Sequence, residues 1–387
     1  TLALLEQILL GNSASPLRKA LIDSALGSAL CDGAGFDADN RDTLFVAGLK
    51  DVEQAAAGKI EEIIVGVFRD LVKKGIDKNL IDSAIHQLEF HRKEITNTPY
   101  TYGIKLLLTF SGSWFHGGDP VKVLNFAVDL AKLQNELAKG AFFENCIQKY
   151  FLDNPHRILL TLVPDPEMEQ NETRRVRAEL DRIKIGLSQS DIDQIKQDAE
   201  ALKRLQETEE DVSCLPTLQR EDIPPSVPII KESASEDALR ATLYNTTTSG
   251  IVYFAAAAGT GLLPAALLPL APFFCYALSR MGTARRDYAE MAQRIDAYTG
   301  GVGLSTNART RFDGAGDCVP FISFNGKCLL RNREPMFNII QELLHHSDFS
   351  NLTRLKSILL EYRAGLESMV IQSGHRLAIS LAARNLS

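Results

Sequence analysis

The sequence lacks long runs of like charge and closely spaced cysteine pairs, and both absences exclude classes of protein. The net charge is −7 over 387 residues, so the basic stripe of a nucleic-acid-binding protein is missing. No two cysteines are separated by two residues, as they are in zinc ribbons and fingers. We therefore expect reduced, mostly buried thiols rather than a disulfide framework. The six cysteines are Cys31, Cys146, Cys214, Cys275, Cys318 and Cys328.

Common catalytic signatures are missing as well. The sequence has no G-x-x-x-x-G-K-[ST] phosphate loop and no G-x-S-x-G nucleophile elbow. Residues 259–261 read Gly-Thr-Gly but continue into Leu-Leu-Pro, so no dinucleotide fingerprint forms. The strongest sequence signals for nucleotide binding and for serine-based hydrolysis are therefore absent.

The seven histidines do not supply a pair at metal-ligand spacing. Residues 91–94 (HRKE) fit the first four positions of the zinc motif H-x-x-E-H, but Ile95 stands at the fifth and cannot ligate a metal. His86 and His91 are five residues apart, and a helix turns such a pair about 140° away from each other. We predict no catalytic, cofactor-binding or metal-binding residue in this chain. The other histidines are His116, His156, His345, His346 and His375.

The apolar residues that are present (45% of the chain, beside 24% charged residues) show helical spacing in several places. Residues 60–71 repeat every three to four positions and end before Gly75, a natural helix stop. Ser15-Pro16 and Asp119-Pro120 predict helix starts, because a polar cap is followed by a proline at the first helical position. Further helices are predicted at residues 81–88, 336–345 and 352–386.

Other apolar runs predict strands, so we expect an α+β fold. Residues 44–46 read as a short strand, and residues 157–163 read as a buried strand ended by Pro-Asp-Pro. Asn325-Gly326 lies between two strand-like runs and predicts a two-residue hairpin turn. Residues 251–279 carry no charge and could span a bilayer, but their glycines and prolines favour a strand, a turn and a buried helix.

A charged segment separates two mixed regions. Between residues 167 and 211 the apolar residues form a narrow seam at steps of three and four, which predicts two helices packed on each other. A capping box at Ser190 and Asp193 is expected to start the second helix. Residues 212–232 contain four prolines and predict an extended linker. A solvated connector is the favoured interpretation, and a partner-binding arm is the alternative.

Several short motifs resemble the presequence-protease branch of the pitrilysin-type zinc metalloproteases. They occur in the same order along the chain and cover nearly all of it. The motifs are LGNSASPL (10–17), FVAGL (45–49), DNPHR (153–157), VPDP (163–166), LPTL (215–218), DIP (222–224), GIVYF (250–254), MGT (281–283), YTGG (298–301) and SGH (373–375).

This resemblance implies four related α+β domains in two bowl-like halves, joined by a helical hairpin around a chamber. Residues 1–166 would be the later part of the second domain, 167–213 the hairpin and 214–387 most of the third domain. The catalytic zinc would lie in a first domain outside this chain. Counting back from Gly282-Thr283, the positions related to H-x-x-E-H would hold Phe273, Tyr276 and Ala277, none of them a zinc ligand.

The resemblance implies a non-catalytic wall and hinge segment of an endopeptidase that degrades unfolded peptides such as presequences. Its partners would be those peptides and the other domains of the parent polypeptide, without nucleic acid or membrane. The compartment would be the cytoplasm in bacteria or an organelle matrix in eukaryotes. A free-standing scaffold protein with the same fold is the alternative, and a reading frame that starts just before Thr1 would favour it. A membrane protein that uses residues 251–279 is a weaker third hypothesis.

Overall fold

A computed structural model describes residues 1–227, 229–236, 240–310 and 318–383. The chain divides into two compact units. The larger unit contains residues 1–161 together with residues 247–387, and the smaller one contains residues 162–246. The three-domain division expected from the sequence stays a prediction.

Residues 1–161 are mainly helical, with two short antiparallel strand pairs, β1 with β4 and β2 with β3. The helices are α1 (Leu2–Leu10), α2 (Pro16–Asp23), α3 (Ala57–Lys74), α4 (Lys78–Lys93), α5 (Tyr102–Phe115), α6 (Pro120–Leu124), α7 (Phe126–Leu137) and α8 (Phe142–Ile147). The strands are β1 (Ala29–Leu30), β2 (Gly35–Asp37), β3 (Leu44–Val46) and β4 (Leu49–Lys50).

The predicted helix boundaries in this stretch are confirmed. Pro16 is the first residue of α2, and the Asp119 carboxylate caps α6 by accepting the amide of Val121. Gly75 ends α3 at φ 83°, a left-handed conformation that glycine adopts without a steric cost. The helices α1 to α4 and α8 bury a shared apolar core that includes Leu5, Leu17 and Phe143.

The buried strand predicted at residues 157–163 is wrong. These residues form no strand, and the side chains of Ile158 and Leu160 are 88% and 74% exposed. A strand is stable only when its backbone groups find a neighbouring strand. Within the described parts of the chain, no strand pairs with this run.

The smaller unit contains two long, exposed helices, α9 (Met168–Gly186) and α10 (Gln189–Glu207), and two short paired strands, β5 (Ala234–Glu236) and β6 (Ala241–Leu243). The helices were predicted, but their packing on each other through the apolar seam is wrong, because Leu180 and Ile195 are 59% and 53% exposed. Local pairs such as Glu172 with Arg175 stabilise them instead. The capping box that starts α10 is formed by Ser188 and Asp191, two residues before the predicted position.

The linker predicted at residues 212–232 is extended and exposed where the structure describes it, apart from a short helical turn at Arg220–Asp222. Pro228 lies outside the described residues.

Residues 247–383 form a mixed region around a three-stranded antiparallel sheet with the order β7-β10-β9. Its strands are β7 (Ile251–Gly259), β8 (Gly282–Thr283), β9 (Val302–Thr310), β10 (Cys318–Leu329) and β11 (Ser347–Asp348), of which β8 pairs with β11. Its helices are α11 (Ala271–Leu278), α12 (Tyr288–Tyr298), α13 (Arg333–His346), α14 (Leu352–Gln372) and α15 (Gly374–Ala383). The mixed helix-and-sheet prediction is confirmed.

The hairpin turn predicted at Asn325-Gly326 is wrong, because both residues lie inside the continuous central strand β10. Asn325 pairs with Ala255 of β7 on one side and with Gly303 of β9 on the other. A β-carbon on Gly326 would lie 3.2 Å from Cδ1 of Ile340, so the glycine lets α13 approach the sheet closely.

The uncharged run at residues 251–279 forms β7, a helical turn at Ala265–Leu270 and α11, as predicted. In the described residues, no helix combines the length and the apolar character needed to cross a bilayer. The helix predicted from residue 352 to 386 is interrupted at Ser373, between α14 and α15, and residues 384–386 lie outside the described part. All six cysteines are free, and only Cys146, Cys275 and Cys328 are buried.

Candidate functional site: the contacts of helix α4

The positions related by sequence to a zinc motif lie on α11 and are occupied by packed side chains. The rings of Phe273 and Tyr276 lie 5.6 and 4.9 Å from the ring of Tyr362. The Arg280 guanidinium lies 3.8 Å from the centre of the Tyr276 ring, and Ala277 is fully buried. This set offers no converging nitrogen, sulfur or carboxylate ligands.

The incomplete motif at residues 91–94 lies at the end of α4. Nδ1 of His91 lies 2.7 Å from the backbone oxygen of Gln87, and Glu94 follows the last helical residue. Across the described ranges, no three His, Cys, Asp or Glu side chains are grouped so that they could hold a metal ion. His345 and His346 end α13, whereas His116, His156 and His375 lie singly elsewhere.

The structure instead brings α4 against α12 through a polar centre at His86. Nδ1 of His86 lies 2.8 Å from the backbone oxygen of Asp296, and Nε2 lies 3.1 Å from the side-chain nitrogen of Asn332. Because a carbonyl oxygen can only accept, Nδ1 carries the proton and Nε2 accepts from the Asn332 amide. His86 is 7% exposed, and burial lowers its pKa.

Neighbouring polar groups complete this centre. The side-chain amide of Gln87 donates to the backbone oxygens of Asp296 and Thr299 at 2.5 and 2.7 Å. The Asp296 carboxylate accepts from Asn12 at 2.7 Å, and burial raises the pKa of this carboxyl group. Each buried group therefore has a partner on another element, which avoids the cost of unpaired burial.

Two glutamates of the same helix segment form ion pairs with residues at and just beyond the end of β10. Glu89 accepts two hydrogen bonds from the Arg331 guanidinium, at 3.0 and 2.6 Å. The Arg331 hydrogen bonds hold the pKa of Glu89 down at about 2. Both carboxylate oxygens of Glu94 lie 2.8 Å from the Lys327 ammonium. The two pairs fix α4 against the sheet edge at two points.

Between these ion pairs, Phe90 provides the apolar anchor. Its side chain is fully buried and clusters with Ile251 and Leu329. The Lys327 ammonium lies 5.3 Å from the ring centre, within cation–π range. A β-carbon on Gly300 would overlap the Phe90 ring, so only glycine leaves room for the ring at that position.

This arrangement can hold two parts of the chain together, and it gives the contact a pH dependence. It does not place a nucleophile beside a base. Sequence reasoning missed it because the partners of His86 lie 210 and 246 residues further along the chain. The available signal was the pair His86-Gln87, two polar residues between Ile85 and Leu88 on an otherwise apolar helix face.

We expect acid to weaken the fold through His86. Since its folded pKa lies below the ordinary 6.5, its stabilising contribution is complete above pH 6.5 and falls as the pH drops below that value. A protonated Nε2 can no longer accept from Asn332, which costs about 1–3 kcal/mol. The charged groups around it act in both directions: Arg331 and His91 lower the pKa, and Glu89 raises it.

The measurement is the free energy of unfolding between pH 7 and 5. His86→Asn should remove most of the decline in this range, whereas His375→Asn, at an exposed position, should leave it unchanged. Protonation of Asp296, whose folded pKa is raised, acts in the opposite direction and is common to all three proteins. An unchanged decline in His86→Asn would contradict the assignment.

Comparison with known proteins places the chain in a family. The family model for the domain associated with peptidases of family M16, subfamily C, matches residues 162–387, more than half of the chain. Protein HypA of Clostridium perfringens is 27% identical, with 97% of this chain and 39% of the relative covered. Presequence protease 1 (chloroplastic/mitochondrial) of Arabidopsis thaliana is 29% identical, with 97% and 35% covered.

The mitochondrial presequence protease of Danio rerio is 28% identical, with 100% of this chain and 38% of the relative covered. The chain thus spans less than two-fifths of the length of these curated relatives. Because the family model covers most of its residues and the presequence proteases match nearly all of it, the chain belongs to this peptidase-associated family and is a segment of the presequence-protease type.

Proposed function

We propose that this chain is a non-catalytic part of the wall of a peptidase chamber, and that its exposed connecting segment serves as the hinge between two halves. The match to presequence proteases along nearly the whole chain is the observation that carries the proposal. The length covered, under two-fifths of each relative, supports a role as one part of a larger enzyme.

The packing of α11 supports the non-catalytic role. A zinc site needs about three nitrogen, sulfur or oxygen ligands that converge on one point. Phe273 and Ala277 offer no such atom, and Tyr276 lies beneath the Arg280 cation, which would repel a metal ion. The residues at these positions therefore do not fit zinc, and the metal that the family implies would be held by a part of the parent outside this chain.

The substrates of the parent would be unfolded peptides such as presequences, in line with the names of the relatives. The other domains of the same parent would be the partners of this chain. Its compartment would be an organelle matrix, as for the mitochondrial and chloroplastic relatives, or the cytoplasm of a bacterium.

The test compares this chain alone with the full-length parent. We expect the parent to bind zinc and to cleave an unfolded peptide, because hydrolysis by a metal-activated water needs the complete ligand set. The isolated chain should bind only substoichiometric zinc and should not cleave the peptide. Stoichiometric zinc in the isolated chain, together with cleavage that a chelator abolishes, would overturn the proposal.

A further inference from the structure

Residues 1–161 and residues 247–383 each contain a core of their own. In the first stretch, the buried residues of α1 to α4 and α8 form one cluster that includes no residue of the other stretch. In the second, three clusters form between the sheet, α11, α12, α13 and α14, again without residues from the first stretch. Segments with separate cores behave as domains, and domains move relative to each other unless their contact is large and apolar.

The contact between these two stretches is mostly polar. The cluster of Phe90 with Ile251 and Leu329 is the one apolar cluster of the described residues that joins them. Around it lie ion pairs and hydrogen bonds in which each partner comes from a different stretch. These are Asn12–Asp296, Arg18–Glu361, Lys19–Tyr288, Lys50–Ser368, Glu89–Arg331 and Glu94–Lys327.

The segment that links the two stretches covalently, residues 162–246, contributes no buried side chain where it is described. Its helices α9 and α10 are exposed along their whole length. The free energy that holds the two stretches together therefore has to come from their direct contact.

We propose that residues 1–161 and 247–387 form a self-sufficient pair, which stays associated when the covalent link is cut and separates at high salt. Each surface fits one partner, the other stretch of the same chain, because their charges are complementary: both glutamates lie on or just after α4, and both cations lie on β10 or just after it. Glu94 and Glu89 are 11% and 19% exposed, so these pairs are better shielded than surface pairs.

Cleavage of the link tests the proposal directly. The exposed residues 209–213 are replaced by the recognition site of a sequence-specific protease, and the purified full chain is cut there. At low salt the two fragments should elute together from a sizing column. At about 1 M NaCl, where charges are screened beyond about 3 Å, the dissociation constant should rise at least tenfold.

Charge variants identify the source of the association. In the cut chain, Glu89→Gln with Glu94→Gln should raise the dissociation constant at low salt by about 10- to 100-fold and should remove most of its salt dependence. Glu94→Lys alone should weaken the pair, and the exchange Glu94→Lys with Lys327→Glu should restore part of the affinity. Circular dichroism of the uncut variants establishes that they are folded.

Two results would overturn the proposal. Fragments that separate at low salt would mean that the contact cannot hold without the link. Fragments that stay together at every salt concentration, with and without the glutamates, would mean a permanent apolar interface. The salt titration of the cut, otherwise unchanged chain needs no variant, so a variant that fails to fold leaves the test intact. Neither result involves peptide cleavage, so both leave the proposed function untouched.

Discussion

Phe90→Ala is expected to lower the free energy of unfolding by about 3–5 kcal/mol, the usual cost of removing a buried aromatic ring. The ring is fully buried, and it fills the space between Ile251, Leu329 and Gly300. The substitution removes the apolar contacts and also the cation–π contact with Lys327. It leaves a cavity at a place where two rigid cores meet, so neither side can collapse to fill it.

Denaturant unfolding monitored by circular dichroism measures this loss. Phe115→Ala is the matched control, because it removes the same atoms from a side chain that is 76% exposed, and it should change the free energy by less than about 0.5 kcal/mol. Phe90→Leu should fall between the two, since it keeps part of the apolar volume. A loss below about 1 kcal/mol for Phe90→Ala would show that the ring does not stabilise the fold.

Local signals in the sequence were sufficient for many of the elements. The end of α3 at Gly75 and the start of α6 after Asp119 depend only on neighbouring residues, so the sequence determines them directly. The uncharged run at residues 251–279 was resolved correctly for the same reason, because its glycines and prolines restrict what the chain can form there.

The failures share one physical cause, namely a dependence on distant partners. Asn325-Gly326 has the composition of a hairpin turn, but β7 and β9 pair with both sides of the strand and keep it extended. Residues 157–163 have the composition of a buried strand, but a strand also needs a neighbour. Composition determines what a segment can become, and tertiary pairing decides which of these states is formed.

The candidate site was beyond sequence reasoning for the same reason. Every interaction that defines it joins α4 or α1 to residues more than 200 positions away. Nothing in the spacing of Glu89, Phe90 and Glu94 distinguishes them from ordinary residues of a solvated helix. The expectation that Phe273, Tyr276 and Ala277 occupy zinc positions came from a resemblance and stays a prediction, to which the structure adds only their packing.

Gly300→Ala is expected to lower the free energy of unfolding by about 2–3 kcal/mol through overpacking, although it adds only one methyl group. The new β-carbon would overlap Cε1 and Cζ of Phe90. Because the ring is fully buried against Ile251 and Leu329, it cannot move aside without displacing them. Gly303→Ala is the matched control, since a β-carbon there meets no atom within 4 Å.

The double variant distinguishes this clash from a general intolerance of alanine at residue 300. When Phe90→Ala is already present, the methyl group enters the cavity left by the ring. Gly300→Ala should then cost less than about 0.5 kcal/mol, and the two losses should be strongly non-additive. Denaturant unfolding of the four proteins in this cycle gives the coupling energy. Additive losses would mean that Phe90 and Gly300 do not touch, and the anchoring of α4 against the sheet would have to come from the ion pairs alone.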